Sequence, residues 1–225
     1  MMKSGELTNT PTGEQRHPWD WYVEQAWVTE RLCDVLDLEP DVHYLDPTCG
    51  LCTIPQVLAG RGLMAFGTDI VQRTDSPLFL NEHDFLGAQM LLVEHWRPLS
   101  VIMNPPFSCQ DGKRVRGLAE KFVRKALQIS THKVAALLPI KWLASSGRVK
   151  LFRDFPPSIY VLAERPSMPP GDKIAELGKR AWSRGKVDYA WFVWDKRIPR
   201  LDHARTFWIP PRPKAPAQIA LELAA

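Results

Sequence analysis

Residues 42–60 read VHYLDPTCGLCTIPQVLAG, and the order of residue types in this stretch decides the fold. Val42 to Leu45 is a short apolar run that reads as a strand, and Asp46 ends it. A glycine-containing turn follows, and Thr53 to Ala59 reads as a helix closing at Gly60. A strand, an acidic residue, a glycine turn and a helix are how an open α/β sheet holds a nucleotide-like ligand. The glycine lets the backbone come close, and the helix start offers free N–H groups. Leu63 to Gly67 is a second strand. Asp69, 23 residues beyond Asp46, closes it in FGTD. A carboxylate there can accept hydrogen bonds from both hydroxyls of a ribose. A purely structural turn matches the same residues.

The alternation continues outward. Before this unit, from Trp19 to Leu38, apolar residues recur at helical spacing, with Val28, Leu32, Val35 and Leu36 on one face. After it, Leu99 to Met103 is a third strand. Gly117 to Ser130 is a helix with Leu118, Phe122, Ala126 and Leu127 inward and Lys121, Arg124 and Lys125 outward. Val134 to Leu138 is continuously apolar, as expected of a strand covered by helices on both faces. Strands separated by helical segments predict a parallel, doubly wound α/β sheet. The last third differs: ten of the 20 prolines fall between Pro156 and Pro216. Strands are expected at Ile159 to Leu162 and Tyr189 to Trp194, and WIPPRPKAPAQ reads as an extended tail.

The second chemical signal is VIMNPPFS, Val101 to Ser108, at the end of the third expected strand. Pro105 and Pro106 fix φ and bias Asn104 away from the helical region. The Asn104 amide and the Pro105 carbonyl then stand rigidly at the carboxyl edge of the sheet, where ligands bind, and Phe107 adds an aromatic face. Such a set suits a planar group bearing an exocyclic amine. Both acceptors take its N–H bonds and the ring stacks on its face. The nitrogen lone pair is left pointing at an electrophile. A proline-stiffened strand exit is the plainer reading.

Taken together, Asp46-Pro47-Thr48-Cys49-Gly50, Asp69, Asp84-Phe85 and Asn104-Pro105-Pro106-Phe107 resemble S-adenosylmethionine-dependent DNA N6-adenine methyltransferases. WDWYVEQAW near the start and YAWFVWDK near the end are similar to small enzymes of this kind in phages and prophages. The resemblance covers roughly residues 18–196. It implies a Rossmann-like class I methyltransferase fold, a mostly parallel doubly wound sheet with an antiparallel strand near the C-terminus. It also implies transfer of a methyl group to the N6 amine of adenine in double-stranded DNA, with the base flipped out of the stack. Under it, Asp46, Pro47, Thr48 and Gly50 line the methionine part of the cofactor and Asp69 holds the ribose. Asp84 bonds the adenine amine beside Phe85, and Tyr22, in a preceding helix start, touches the cofactor. Asn104 and Pro105 accept from the target amine, Pro106 stiffens the turn and Phe107 stacks on the base. The family usually has a second glycine where Cys52 stands, so a side chain there is expected to crowd the cofactor. The same motifs occur in methyltransferases of RNA and of protein glutamine. A degenerate, non-catalytic nucleic-acid-binding module is a further alternative.

Composition bounds these readings. In 225 residues, 45% hydrophobic and 24% charged, one core with appendages is expected, and a disordered or fibrous chain is excluded. We divide the chain into a loose arm (1–17), a catalytic part (18–196) and a C-terminal extension (197–225). The longest apolar run, Val134 to Ile140, is far short of a membrane span, and the N-terminus lacks the apolar core of a secretory leader. Four cysteines suit reduced thiols in a cytosol, and Cys49 and Cys52 have no second ligand pair, so no metal is expected. The formal charge of +4 permits a nucleic-acid partner. Trp182 stands among Lys179, Arg180, Arg184 and Lys186, a set able to bind phosphate and stack a base, or equally a solvated basic loop. Arg197, Arg200, Arg205, Arg212 and Lys214 are candidates to extend such a strip. Only Pro166 to Val187 is long enough to read a target, which suggests a short recognition site or a homodimer sharing the reading.

Overall fold

A computed structural model of the chain describes residues 16–89, 92–183 and 185–213. Its strands are β1 (His43–Asp46), β2 (Met64–Asp69), β3 (Phe79–Glu82), β4 (Leu99–Met103), β5 (Cys109–Gln110), β6 (Lys113–Arg114), β7 (Lys133–Pro139), β8 (Ser158–Leu162), β9 (Tyr189–Asp195) and β10 (Arg205–Ile209). The α-helices are α1 (Ala26–Cys33), α2 (Thr53–Gly60), α3 (Leu118–Ile129), α4 (Val149–Asp154) and α5 (Ile174–Leu177). Eight strands form one sheet in the order β10-β8-β9-β7-β4-β1-β2-β3, and β5 and β6 make a separate hairpin. β3, β2, β1, β4 and β7 run parallel, β9 is antiparallel to both β7 and β8, and β10 is parallel to β8. This is the mostly parallel, doubly wound sheet with a late antiparallel strand that the sequence predicts.

Side-chain alternation divides the core in two, because successive residues of a strand point to opposite faces. Val101 and Met103 of β4, Val134, Ala136 and Leu138 of β7, and Phe192 and Trp194 of β9 pack beneath α3 and α4. Ile102, Ala135, Leu137, Trp191 and Val193 pack on the other face with α1 and α2. A strand covered on both faces has no polar side, which is why all seven residues of β7 are buried. α3 buries Leu118, Phe122, Ala126 and Leu127, as its periodicity predicts, while Lys121 and Arg124 stay exposed.

Three expectations change. The helical spacing from Trp19 yields only α1, Ala26–Cys33. Asp20, with φ of 51°, closes a turn; Val23 donates to the Pro169 carbonyl and Tyr22 forms a β-bridge with Pro170, so residues 21–23 are held extended against a loop. Tyr22 therefore does not begin a helix, and Val35 is exposed. The edge strands β3 and β10 are added; their exposed, partly polar residues carry no burial signal. Trp208 and Ile209, which open the expected extended tail, belong to β10.

Candidate active site

Parallel strands bring their carboxyl ends to one edge. Asp46 ends β1, Asp69 ends β2 and Asn104 follows β4 directly. One pocket opens there, lined among others by Tyr22, Pro47, Thr48, Gly50, Asp69, Asp84, Phe85, Asn104 and Pro106. Sequence reasoning places all of these at a site, and the fold gathers them from five segments. Asp46, Pro105 and Phe107 are not part of this lining. The pocket also takes in Trp21, Glu24, Arg73 and His83, which the motifs do not single out.

The β1–α2 turn is built around carboxylates. The Thr48 N–H and hydroxyl donate to Asp46 Oδ1 at 2.9 and 3.1 Å, and the hydroxyl also lies 3.3 Å from the Asn104 carbonyl, tying this turn to the end of β4. Gly50 has φ of 49° and donates its N–H to Asp69 Oδ2 at 2.9 Å. Asp69 Oδ1 accepts from Arg73 at 2.5 Å and from the Val71 N–H at 3.3 Å, and the Arg73 guanidinium lies 4.8 Å from the Trp21 ring centroid. Asp69 is thus held from both sides.

Cys52 occupies a left-handed conformation, φ 61°, the region where glycine is unstrained. Its thiol is fully buried 3.5 Å from that of Cys49, and both pack over Gly67, where a Cβ would fall 2.5 Å from the Cβ of Cys49. Cys52 is absent from the pocket lining. The side chain expected to crowd the cofactor is directed toward Gly67 of β2. Both thiols are free.

Asn104 is oriented from the N-terminal side. Its Nδ2 donates to the Tyr22 carbonyl at 3.0 Å and to Glu24 Oε2 at 2.8 Å. Glu24 and Asp46 are 7% and 2% exposed, and neither forms an ion pair among the described residues. Burial raises the Glu24 carboxyl above the usual carboxylate range. Burial raises Asp46 well above it, and the negative charge of Glu24 adds to that. Beyond Asn104, the N–H groups of Phe107, Ser108 and Cys109 donate to one oxygen, Asp20 Oδ2, at 3.0, 2.7 and 2.8 Å. Arg16 pairs with the same carboxylate. The Phe107 ring stands 6.2 Å from the Tyr189 ring. Asp20 and Glu24 both lie in the WDWYVEQAW stretch, yet nothing in their spacing announces these contacts.

Phe85 is buried and stacked on Phe122 of α3, with centroids 5.7 Å apart, and Asp84 is exposed. The basic loop is less engaged. Lys179, Arg180 and Lys186 are exposed and Trp182 is half-buried, none of them lining the pocket; Arg184 lies outside the described residues. Part of the expected strip is structural. Arg212 pairs with Glu164 and covers the Trp27 ring, and Arg197 pairs with Asp195 and Glu39. Lys214 lies outside the described residues.

No family model matches the chain, and no curated protein does. Solved structures do. The methyltransferase subunit of a type I restriction-modification system from Streptococcus thermophilus is similar at a TM-score of 0.52 and 12% identity. The match covers 100% of this chain and 53% of that one. The 23S rRNA methyltransferase ErmE is similar at a TM-score of 0.52 and 15% identity, with 80% of this chain and 71% of that one covered. The chain thus spans about half the length of the restriction-modification subunit. Together with the strand order, these likenesses show a Rossmann-like class I methyltransferase fold. No helix among the described residues is long and apolar enough to cross a membrane.

Proposed function

We propose that the chain transfers a methyl group from S-adenosylmethionine to the N6 amine of adenine in DNA. One observation carries the reading: the Asn104 amide is pinned by its nitrogen side, which leaves Oδ1 as an acceptor beside the Pro105 carbonyl. The pocket fits the methyl donor. The buried Asp46 carboxyl, with no cation paired to it among the described residues, suits a cationic ligand. The positive-φ Gly50 next to Asp69 forms a cradle a side chain would fill, since a Cβ there would fall 2.8 Å from Trp21 Nε1. Asp46, Pro47, Thr48 and Gly50 would hold the methionine part and Asp69 the ribose. Asp84 and Phe85 would hold the adenine, with Tyr22 alongside.

When bound, the cofactor supplies an electrophilic methyl on a sulfonium centre. The chain supplies position and electrostatics. Asn104 Oδ1 and the Pro105 carbonyl accept the two N–H bonds of the target amine and turn its lone pair toward the pocket. As positive charge grows on that nitrogen, both dipoles bind it more strongly, which lowers the barrier. Phe107, its backbone fixed by Asp20, offers the stacking face. No strong base is needed, because the amine proton becomes acidic only after transfer.

Incubation with S-adenosylmethionine and unmethylated DNA, followed by nucleoside mass spectrometry, tests the reading. N6-methyldeoxyadenosine is expected. A methylated nucleoside from RNA alone would shift the acceptor. Absence of any thermal stabilisation by the cofactor would leave a non-catalytic binding module. Gly50→Ala is expected to weaken cofactor binding at least about tenfold. The left-handed conformation costs an L-residue about 1–2 kcal/mol, and the new methyl group displaces Trp21. Titration calorimetry reads this, and an unchanged Kd would remove Gly50 from the site. Alanine at Lys179, Arg180, Arg184 and Lys186 should weaken DNA binding and flatten its dependence on salt. An unchanged slope would make this loop a solvated face.

A further inference from the structure

An amide side chain is nearly symmetric in shape, and a half-turn exchanges its oxygen for its nitrogen. Facing a primary amine, the two orientations are opposites: Oδ1 accepts the amine's N–H, whereas Nδ2 presents a second donor and repels it. The hydrogen-bond partners therefore decide whether Asn104 works. Its Nδ2 meets the Tyr22 carbonyl at 3.0 Å and Glu24 Oε2 at 2.8 Å, both acceptors, and no described donor engages its Oδ1. The Tyr22 carbonyl is fixed by the β-bridge to Pro170. Among the described residues, Glu24 is the one side chain that bonds the Asn104 amide, and it is nine-tenths buried. In its ionised form the Glu24 carboxyl can only accept, so it selects one orientation of the amide where a hydroxyl would select neither.

We propose that Glu24 is a positioning residue, acting through Asn104 by holding its Nδ2 so that Oδ1 faces the target amine. This inference rests on the function proposed above, and it adds a residue from the N-terminal segment to the machinery at the end of β4. Tyr22 and Glu24 approach Asn104 from 82 and 80 residues away in the chain. A carboxyl this deeply buried, with no cation paired to it among the described residues, is unfavourable for folding alone, and its bond to Asn104 gives it a use at the site.

The test compares the wild-type chain with Glu24→Ala and Glu24→Gln. It measures the single-turnover transfer rate on duplex DNA, the Kd for S-adenosylmethionine, and the side-chain ¹⁵N–¹H signals of Asn104, assigned by their loss in Asn104→Asp. In Glu24→Ala the rate is expected to fall about 10²-fold, the loss typical of a misplaced reacting group. The Kd should hold, and the Asn104 amide protons should shift and exchange faster with solvent. Glutamine presents an oxygen at the same reach but a donor as well, so Glu24→Gln should recover only part of the lost rate and of the protected amide signals, with the Tyr22 carbonyl left to select the orientation. Amide signals that ignore the loss of Glu24 would overturn the inference. So would a wild-type rate in Glu24→Ala, or cofactor binding lost in step with the rate. If the wild-type chain methylates no DNA, the proposed function fails, and the amide signals still decide whether Glu24 holds Asn104.

Discussion

Asn104→Ala is expected to lower the rate of methyl transfer by about 10²–10³-fold or more, the loss typical when one electrostatic stabiliser of a developing charge is removed. Alanine leaves the Pro105 carbonyl as a single acceptor for an amine with two N–H groups, so the amine is neither held nor turned. It also frees Glu24, a buried carboxyl whose side-chain partner is the Asn104 amide. The cofactor-side contacts (Asp69 with Gly50, Asp46 with Thr48) do not involve the Asn104 side chain. Binding of S-adenosylmethionine should therefore stay nearly intact. Single-turnover assays beside titration calorimetry read the two quantities separately. Equal losses of rate and cofactor affinity would show that Asn104 holds the cofactor and not the target.

Asp20→Ala is expected to destabilise the chain by about 3 kcal/mol, at the lower end for removing one partner of a buried ion pair because Arg16 keeps some solvent contact. In a chain of this size that lowers Tm by about 6–12 °C. Three consecutive N–H groups, those of Phe107, Ser108 and Cys109, lose their shared acceptor, and Arg16 loses its carboxylate. Among the described residues, the loop after Asn104 then keeps on the N-terminal segment the Pro18 carbonyl, which accepts from Gly112 and from the Cys109 thiol. Phe107 should stack less well, so the KM for DNA should rise as well. Asp20→Asn keeps the shape and one acceptor oxygen and should lose less. Thermal unfolding checks the first effect and steady-state kinetics the second. An unchanged Tm in Asp20→Ala would mean that water replaces the carboxylate at no cost.

Local chemistry made much of this protein legible. The strand–acid–glycine turn at 42–60 needs only neighbours to be read, and the buried run of β7 and the amphipathic period of α3 are local as well. The proline pair of NPPF announces a rigid strand exit from its own backbone restrictions. Where Asp46, Asp69 and Asn104 meet also follows from sequence order, since parallel strands place their carboxyl ends on one edge.

What only the tertiary structure decided lies in contacts between distant segments. Cys52 reads in sequence as a side chain in the way of a ligand; the structure turns it into the space over Gly67, because the left-handed turn aims its Cβ at β2. Residues 19–25 read as the start of a helix, yet the bonds from Val23 to Pro169 and from the post-β4 loop to Asp20 outweigh one helical turn. Asp20 and Glu24 look like ordinary surface acids in a chain with 25 of them. They become anchors of the Asn104 loop only because the fold buries them some 80 to 90 residues from their partners. Periodicity and turn chemistry are properties of neighbours in sequence, so the chain alone determines the inner strands of its sheet and the edge where the candidate site lies. The orientation of a single amide depends on which acceptors a distant segment brings to it, and that is settled only once the chain has closed on itself.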